Sequence, residues 1–140
     1  MLSRRRNLCA LVATILLSGM AGCSDLDTVR NAPIDRGISR DFDVPYNRLT
    51  AATLTALSSV NVNLISSSED ATGTTYIIDK SMEMHILWGS WGEVGRIYIK
   101  KAAAPPTTMV VDWEKRAHGS VGVSAEEFSR TLFDAINKLL

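Results

Sequence analysis

An α+β two-layer sandwich, with an antiparallel sheet of about five strands and two helices on one of its faces, is the fold class the sequence predicts. Three features predict it. Apolar residues recur three or four apart between Tyr46 and Ser59, apolar and polar residues alternate in several short segments between Ile38 and Lys115, and a capping signature opens an amphipathic stretch near the carboxyl end.

The first strand is expected from Ile38 to Val44, where Ile38, Arg40, Phe42 and Val44 alternate with Ser39, Asp41 and Asp43. Pro45 ends it, and since proline is tolerated in the first turn of a helix but not inside one, a helix is expected from Tyr46 to about Ser59. Tyr46, Leu49, Thr53, Leu57 and Val60 share one face, with Ala52 and Ala56 beside them to allow close approach to a sheet. Val60 to Leu64 alternates, Ser66 to Gly73 reads as a polar loop, and Thr74 to Ile78 is rich in β-branched and aromatic residues, so the three segments form a hairpin by pattern. A further strand is expected from about Met82 to Trp88, a turn at Gly89 to Glu93, another strand from Val94 to Lys101, a turn at Ala104 to Thr107, and a last strand from Thr108 to Lys115. Ser124 followed by Glu127 is a capping box, flanked by Val123 and Phe128 at the spacing of a hydrophobic staple. The closing helix then carries Phe128, Leu132, Ala135, Ile136 and Leu139 as its apolar stripe.

Upstream, the pattern changes. Met1 to Arg6 holds three consecutive arginines and no acid, and Leu8 to Met20 is a nearly apolar run of 13 residues. A membrane-spanning helix needs about 20 such residues, so this run reads as the hydrophobic region of a signal peptide behind a basic amino terminus. Met20-Ala21-Gly22-Cys23 follows at once. This order resembles the lipobox of bacterial lipoproteins, and the resemblance implies cleavage before Cys23, a diacylglyceryl thioether on its sulfur and acylation of the new amino group. At about 0.8 kcal/mol per buried methylene, three chains make a lasting anchor. Residues 1–22 are thus expected as a signal peptide, 23–37 as the lipidated cysteine and its tether, and 38–140 as a single domain. The tether, polar and interrupted by Pro33 and Gly37, would reach on the order of 45 Å if extended. Ser24, in the position where aspartate would signal inner-membrane retention, points to the periplasmic face of the outer membrane, or to the cell membrane in a host without an outer one.

Removal of the leader changes the charge. Arg4, Arg5 and Arg6 depart while all 15 acids stay, which leaves 12 basic side chains and a net charge of about −3. Such a domain has no global basic field for nucleic acid. Cys9 departs with the leader and Cys23 is lipidated, so no disulfide is available and packing alone must hold the fold.

No catalytic, metal-binding or cofactor-binding constellation is evident. His85 and His118 are the only two histidines, Glu69-Asp70 and Glu126-Glu127 are adjacent pairs that do not face one another, and Ser66 to Ser68 lacks a nucleophile elbow. Gly89, Gly92 and Gly95 meet neither the dinucleotide-binding nor the P-loop pattern, because a strand follows where a helix amino terminus is required. Lys100-Lys101 and Lys115-Arg116 read as a solvated surface. Trp88 and Trp91, flanking a Gly-Ser turn, are the candidate partner-binding residues, since a large ring with one polar N–H is favoured at binding hot spots. Strand, Val44-Pro45-Tyr46 opening a helix, alternating strands and a closing helix with a Leu-rich end resemble the BamC-like helix-grip domains of small outer-membrane lipoproteins. The anchor, the short tether and the absence of a catalytic constellation together lead to the expectation of a non-enzymatic module that engages an envelope protein. A rival expectation is a small-ligand or lipid-binding domain using the groove between helices and sheet.

Overall fold

A computed structural model describes residues 25–81, 92–115 and 122–140 of the chain. Five strands, β1 (Ile38–Phe42), β2 (Asn63–Glu69), β3 (Gly73–Ser81), β4 (Gly92–Lys100) and β5 (Thr107–Lys115), form one antiparallel sheet in the order β1-β5-β4-β3-β2. Strands β2 to β5 thus form a meander, and β1 returns to pair with β5 at the far edge. Three helices complete the fold: α1 (Asp25–Asn31), α2 (Tyr46–Ser59) and α3 (Ala125–Asn137). The expected α+β class, an antiparallel sheet of five strands and two helices against one face are present, and the strand expected from about Met82 to Trp88 lies outside the described residues.

Period-two alternation decides which side chains meet those helices. Tyr76 and Ile78 of β3, Ile97 and Ile99 of β4, and Met109, Val111 and Trp113 of β5 point to one side, where they pack with Leu49, Ala52, Ala56 and Leu57 of α2 and Phe128, Leu132, Phe133 and Ile136 of α3. Pro45 precedes α2 in extended conformation, as its missing N–H and restricted φ favour. In α3 the Ser124 hydroxyl accepts the Glu127 N–H at 3.1 Å, which satisfies one of the free donors of the first turn, and Val123 packs partly buried against the core as a staple residue would. Phe42 brings β1 into the same core, edge-on to Phe133 with ring centroids 5.8 Å apart, and the Arg40 guanidinium lies 5.5 Å from the centre of each ring.

Two expectations are corrected. The first is the serine-rich loop, since Ser66, Ser67 and Ser68 pair with Ile77, Tyr76 and Thr75 as part of β2. Serine is a poor marker of a strand, but here the ladder to β3 supplies the backbone partners and the hydroxyls remain in solvent. The turn itself is short. Asp70 Oδ1 accepts from Thr72 Oγ1 at 2.6 Å, Thr72 N at 2.7 Å and Gly73 N at 3.1 Å, and these bonds, led by that of the Thr72 hydroxyl, hold its carboxyl below the ordinary aspartate value. A register shift between Leu64 and Ser66 marks a bulge in β2.

The second correction concerns residues 25–37. Expected as an extended tether, they instead form α1 and a segment laid across the sheet on the face opposite α2 and α3. Seven residues are too few to show a helical repeat or to be stable as an isolated helix, so docking must hold them. Val29 is fully buried there. The layer it adds explains why β4 is buried along nearly its whole length on both faces.

Candidate functional site

The residues singled out for function, Cys23, Trp88 and Trp91, together with His85 and His118, lie outside the described residues. For Trp88, Trp91, His85 and His118 the described ends of the segments nevertheless fall together. Ser81 pairs with Gly92, Glu93 pairs with Lys115, and Gly122 lies against the Glu93 side chain. The connection from Ser81 to Gly92, which carries both tryptophans, and the connection from Lys115 to Gly122 are therefore rooted at one end of the sheet.

Glu93 organises that end. Its side chain is buried, and Oε1 accepts the backbone N–H of Val123 at 2.6 Å and the Trp113 Nε1–H at 3.3 Å. A buried carboxylate is costly unless hydrogen-bonded, and these donors tie the approach to α3 back to the sheet. Gly122 is required at this point. Its φ is +140°, and a Cβ there would stand 2.4 Å from Glu93 Oε1. Beside it, the Trp113 ring stacks on Phe128 with centroids 3.6 Å apart and planes 9° from parallel. Gly95 leaves room for that ring, since a Cβ on Gly95 would come within 2.6 Å of Trp113 Cε3. Glu93, expected in a turn, belongs to β4, and its role is not visible in the sequence because a single glutamate beside glycines carries no sign of burial.

On the opposite face of the sheet sits an ionic cluster that the sequence also did not disclose. Arg96 and Asp112 are directly opposed in the β4–β5 register, and both are buried. The Arg96 guanidinium donates to the backbone carbonyls of Val29 at 3.0 Å, Ala32 at 2.7 Å and Pro33 at 2.5 Å. The Val29 carbonyl belongs to the last turn of α1, where carbonyls lack helical partners and carry the negative end of the dipole, so Arg96 acts as a carboxyl-terminal cap supplied by the sheet. Asp112 lies 3.8 Å from Arg96 and accepts from Arg36 at 2.8 Å, while Arg36 also reaches Glu114 at 2.6 Å. Burial pulls the Arg96 guanidinium below its ordinary pKa, with Asp112 opposing. The hydrogen bond to Asp112 is the main influence that raises that of Arg36. Gly37 closes the segment at φ +127°, close enough to the Val111 carbonyl that a Cβ would stand 2.3 Å from its oxygen.

Further open surfaces include the edge of β2 and a groove between the helices. Strand β2 is exposed along its whole length, has no strand on its outer side among the described residues, and displays Leu64 and Ile65. Proline, lysine and arginine, which commonly blunt such edges, do not occur in it. The second is a groove of about 490 Å³ between α2 and α3, lined by Thr55, Ser59, Thr131, Asp134 and Lys138. It runs between the helices. The interface of helices and sheet, where the rival reading would seat a ligand, is occupied by core side chains such as Leu49, Ile97, Ile99 and Leu132.

Among the described residues no group of three or more potential metal ligands converges, and no helix is long and apolar enough to cross a membrane. No protein-family model matches the chain, and no curated protein is similar to it in sequence.

Proposed function

We propose that the chain is the precursor of a membrane-anchored periplasmic lipoprotein whose α+β domain works as a non-enzymatic interaction or envelope-assembly module. The observation that carries the reading is the continuous order of a basic amino terminus, a 13-residue apolar run and Met20-Ala21-Gly22-Cys23. In this reading Cys23 holds the lipid, the outer membrane is the address, and Trp88 and Trp91 contact an envelope protein. The edge of β2, which no strand covers among the described residues, supports an interaction role, because a strand edge of this kind can add a strand from another chain. No nucleic acid partner and no cofactor belong to the proposal.

The test is metabolic labelling with a radioactive or alkyne-bearing fatty acid in a bacterial host. The parent chain is expected to incorporate label and to partition with membranes. Cys23→Ser is expected to lose the label and to keep its leader. Equal labelling of the two chains would remove the basis of the proposal.

A further inference from the structure

The anchor and the folded part of the chain are separated by almost nothing. Asp25, the first residue of α1, is two Cα steps from Cys23, a span of at most about 7 Å. Had residues 24–37 been free, the domain would hang on the order of 45 Å of chain and turn in any direction. Instead, α1 and the segment after it are fastened to the sheet by Arg96, which holds three of their carbonyls, by Arg36 on Asp112 and Glu114, and by the buried Val29.

Building on the lipoprotein reading above, we propose that the α1 side of the sheet is a membrane-facing surface, and that the Arg96 cluster converts the lipid anchor from a leash into a mount. The occupant of this face is the bilayer that holds the chain's own acyl groups. The polar headgroup layer is about 5–7 Å deep on each side of the hydrocarbon, similar to the reach between Cys23 and α1, so α1 rests at headgroup level. The exposed side chains on this side are mixed in charge: Asp27 pairs with Arg30 at 3.7 Å, and Asp35 is exposed as well. Thr28, Arg30 and Asn31 offer polar groups, and Ile34, 48% exposed, offers an apolar one. Helices α2 and α3 lie on the other side of the sheet and are presented to the periplasm, together with the groove between them.

The full-length protein, processed and lipidated by its host, is reconstituted into vesicles of phosphatidylethanolamine and phosphatidylglycerol that contain a lipid with a headgroup nitroxide. One fluorophore is placed either at Thr28→Cys on α1 or at Arg130→Cys on the exposed side of α3. Fluorescence at the α1 position is expected to be quenched several-fold more than at the α3 position. A flexible Gly-Ser insertion of about ten residues between Ser24 and Asp25, spanning about 17 Å on average, is expected to bring the two values together while leaving the melting curve unchanged. Equal quenching at the two positions in the parent, or a difference that survives the insertion, would overturn the mount. A protein shielding α1 would likewise overturn it, by leaving Thr28→Cys unquenched on vesicles that carry the chain. Flotation reads the anchor separately, and a chain that fails to float with the vesicles contradicts the lipoprotein reading itself.

Discussion

Arg96→Ala is expected to destabilise the domain by about 3–5 kcal/mol, the range found when one member of a buried ion pair is removed. The substitution strips the donors from the Val29, Ala32 and Pro33 carbonyls and takes from Asp112 its cross-strand counterion. It also leaves a gap beneath α1, a helix of seven residues that docking must hold in place. Urea unfolding followed by circular dichroism reads the effect, and the midpoint should fall together with protection of the amides of α1 from hydrogen exchange. Arg96→Lys should recover only part of the loss, because an ammonium lacks the planar fork that serves three carbonyls at once. An unchanged midpoint in Arg96→Ala would mean that the cluster does not hold residues 25–37 to the sheet.

Trp113→Ala should be the most damaging single change in the main core, at about 3–5 kcal/mol. It deletes a buried ring stacked on Phe128 and removes the Nε1–H donor of Glu93, which leaves that carboxylate with the Val123 N–H. The same geometry predicts the cost of filling the glycine beneath the ring. Gly95→Ala would bring a methyl group to within 2.6 Å of Trp113 Cε3 and 2.8 Å of the Asp112 carbonyl oxygen, so it should cost about 1–3 kcal/mol by overpacking. In the Trp113→Ala background the ring is gone, and Gly95→Ala should cost distinctly less. Thermal unfolding of the two single variants and the double variant measures this coupling, and strict additivity would contradict the packing described.

The parts of the fold that were legible in the sequence are those with a repeating pattern long enough to detect. Helix α2 runs from Tyr46 to Ser59 as expected because its apolar face repeats over 14 residues behind a proline, and α3 begins after Ser124 because the cap is local chemistry. Strands β4 and β5 carry their core-facing residues at alternate positions, Ile97 and Ile99 in the one and Met109, Val111 and Trp113 in the other. What escaped was either short or dependent on distant partners. Helix α1 has only Leu26 and Val29 as an apolar pair before Ala32 and Pro33, which is indistinguishable from a linker until the sheet is present. Arg96 occupies a polar position in an alternating strand, where an arginine is ordinarily solvated, and its burial follows from carbonyls more than 60 residues away in sequence. Glu93 is hidden for a similar reason, since its donors come from β5 and from the approach to α3. Ser66 to Ser68 show the opposite case: a run of serines has loop composition, yet an edge strand exposed along its whole length tolerates it.

These findings bear on how the chain would be displayed at a membrane. If Cys23 carries the lipid as proposed, α1 begins two positions after the anchor, and the β2 edge and the groove between α2 and α3 would be offered to partners in a defined orientation. The proposed lipid anchor depends on how the mature chain begins. The most direct measurement is mass spectrometry of its amino-terminal peptide, isolated from membranes of cells that express the full sequence. A peptide that starts at Cys23 and carries the added mass of a diacylglyceryl thioether and an N-linked acyl chain is expected. A peptide that starts elsewhere, or an unmodified Cys23 within a longer chain, would contradict it.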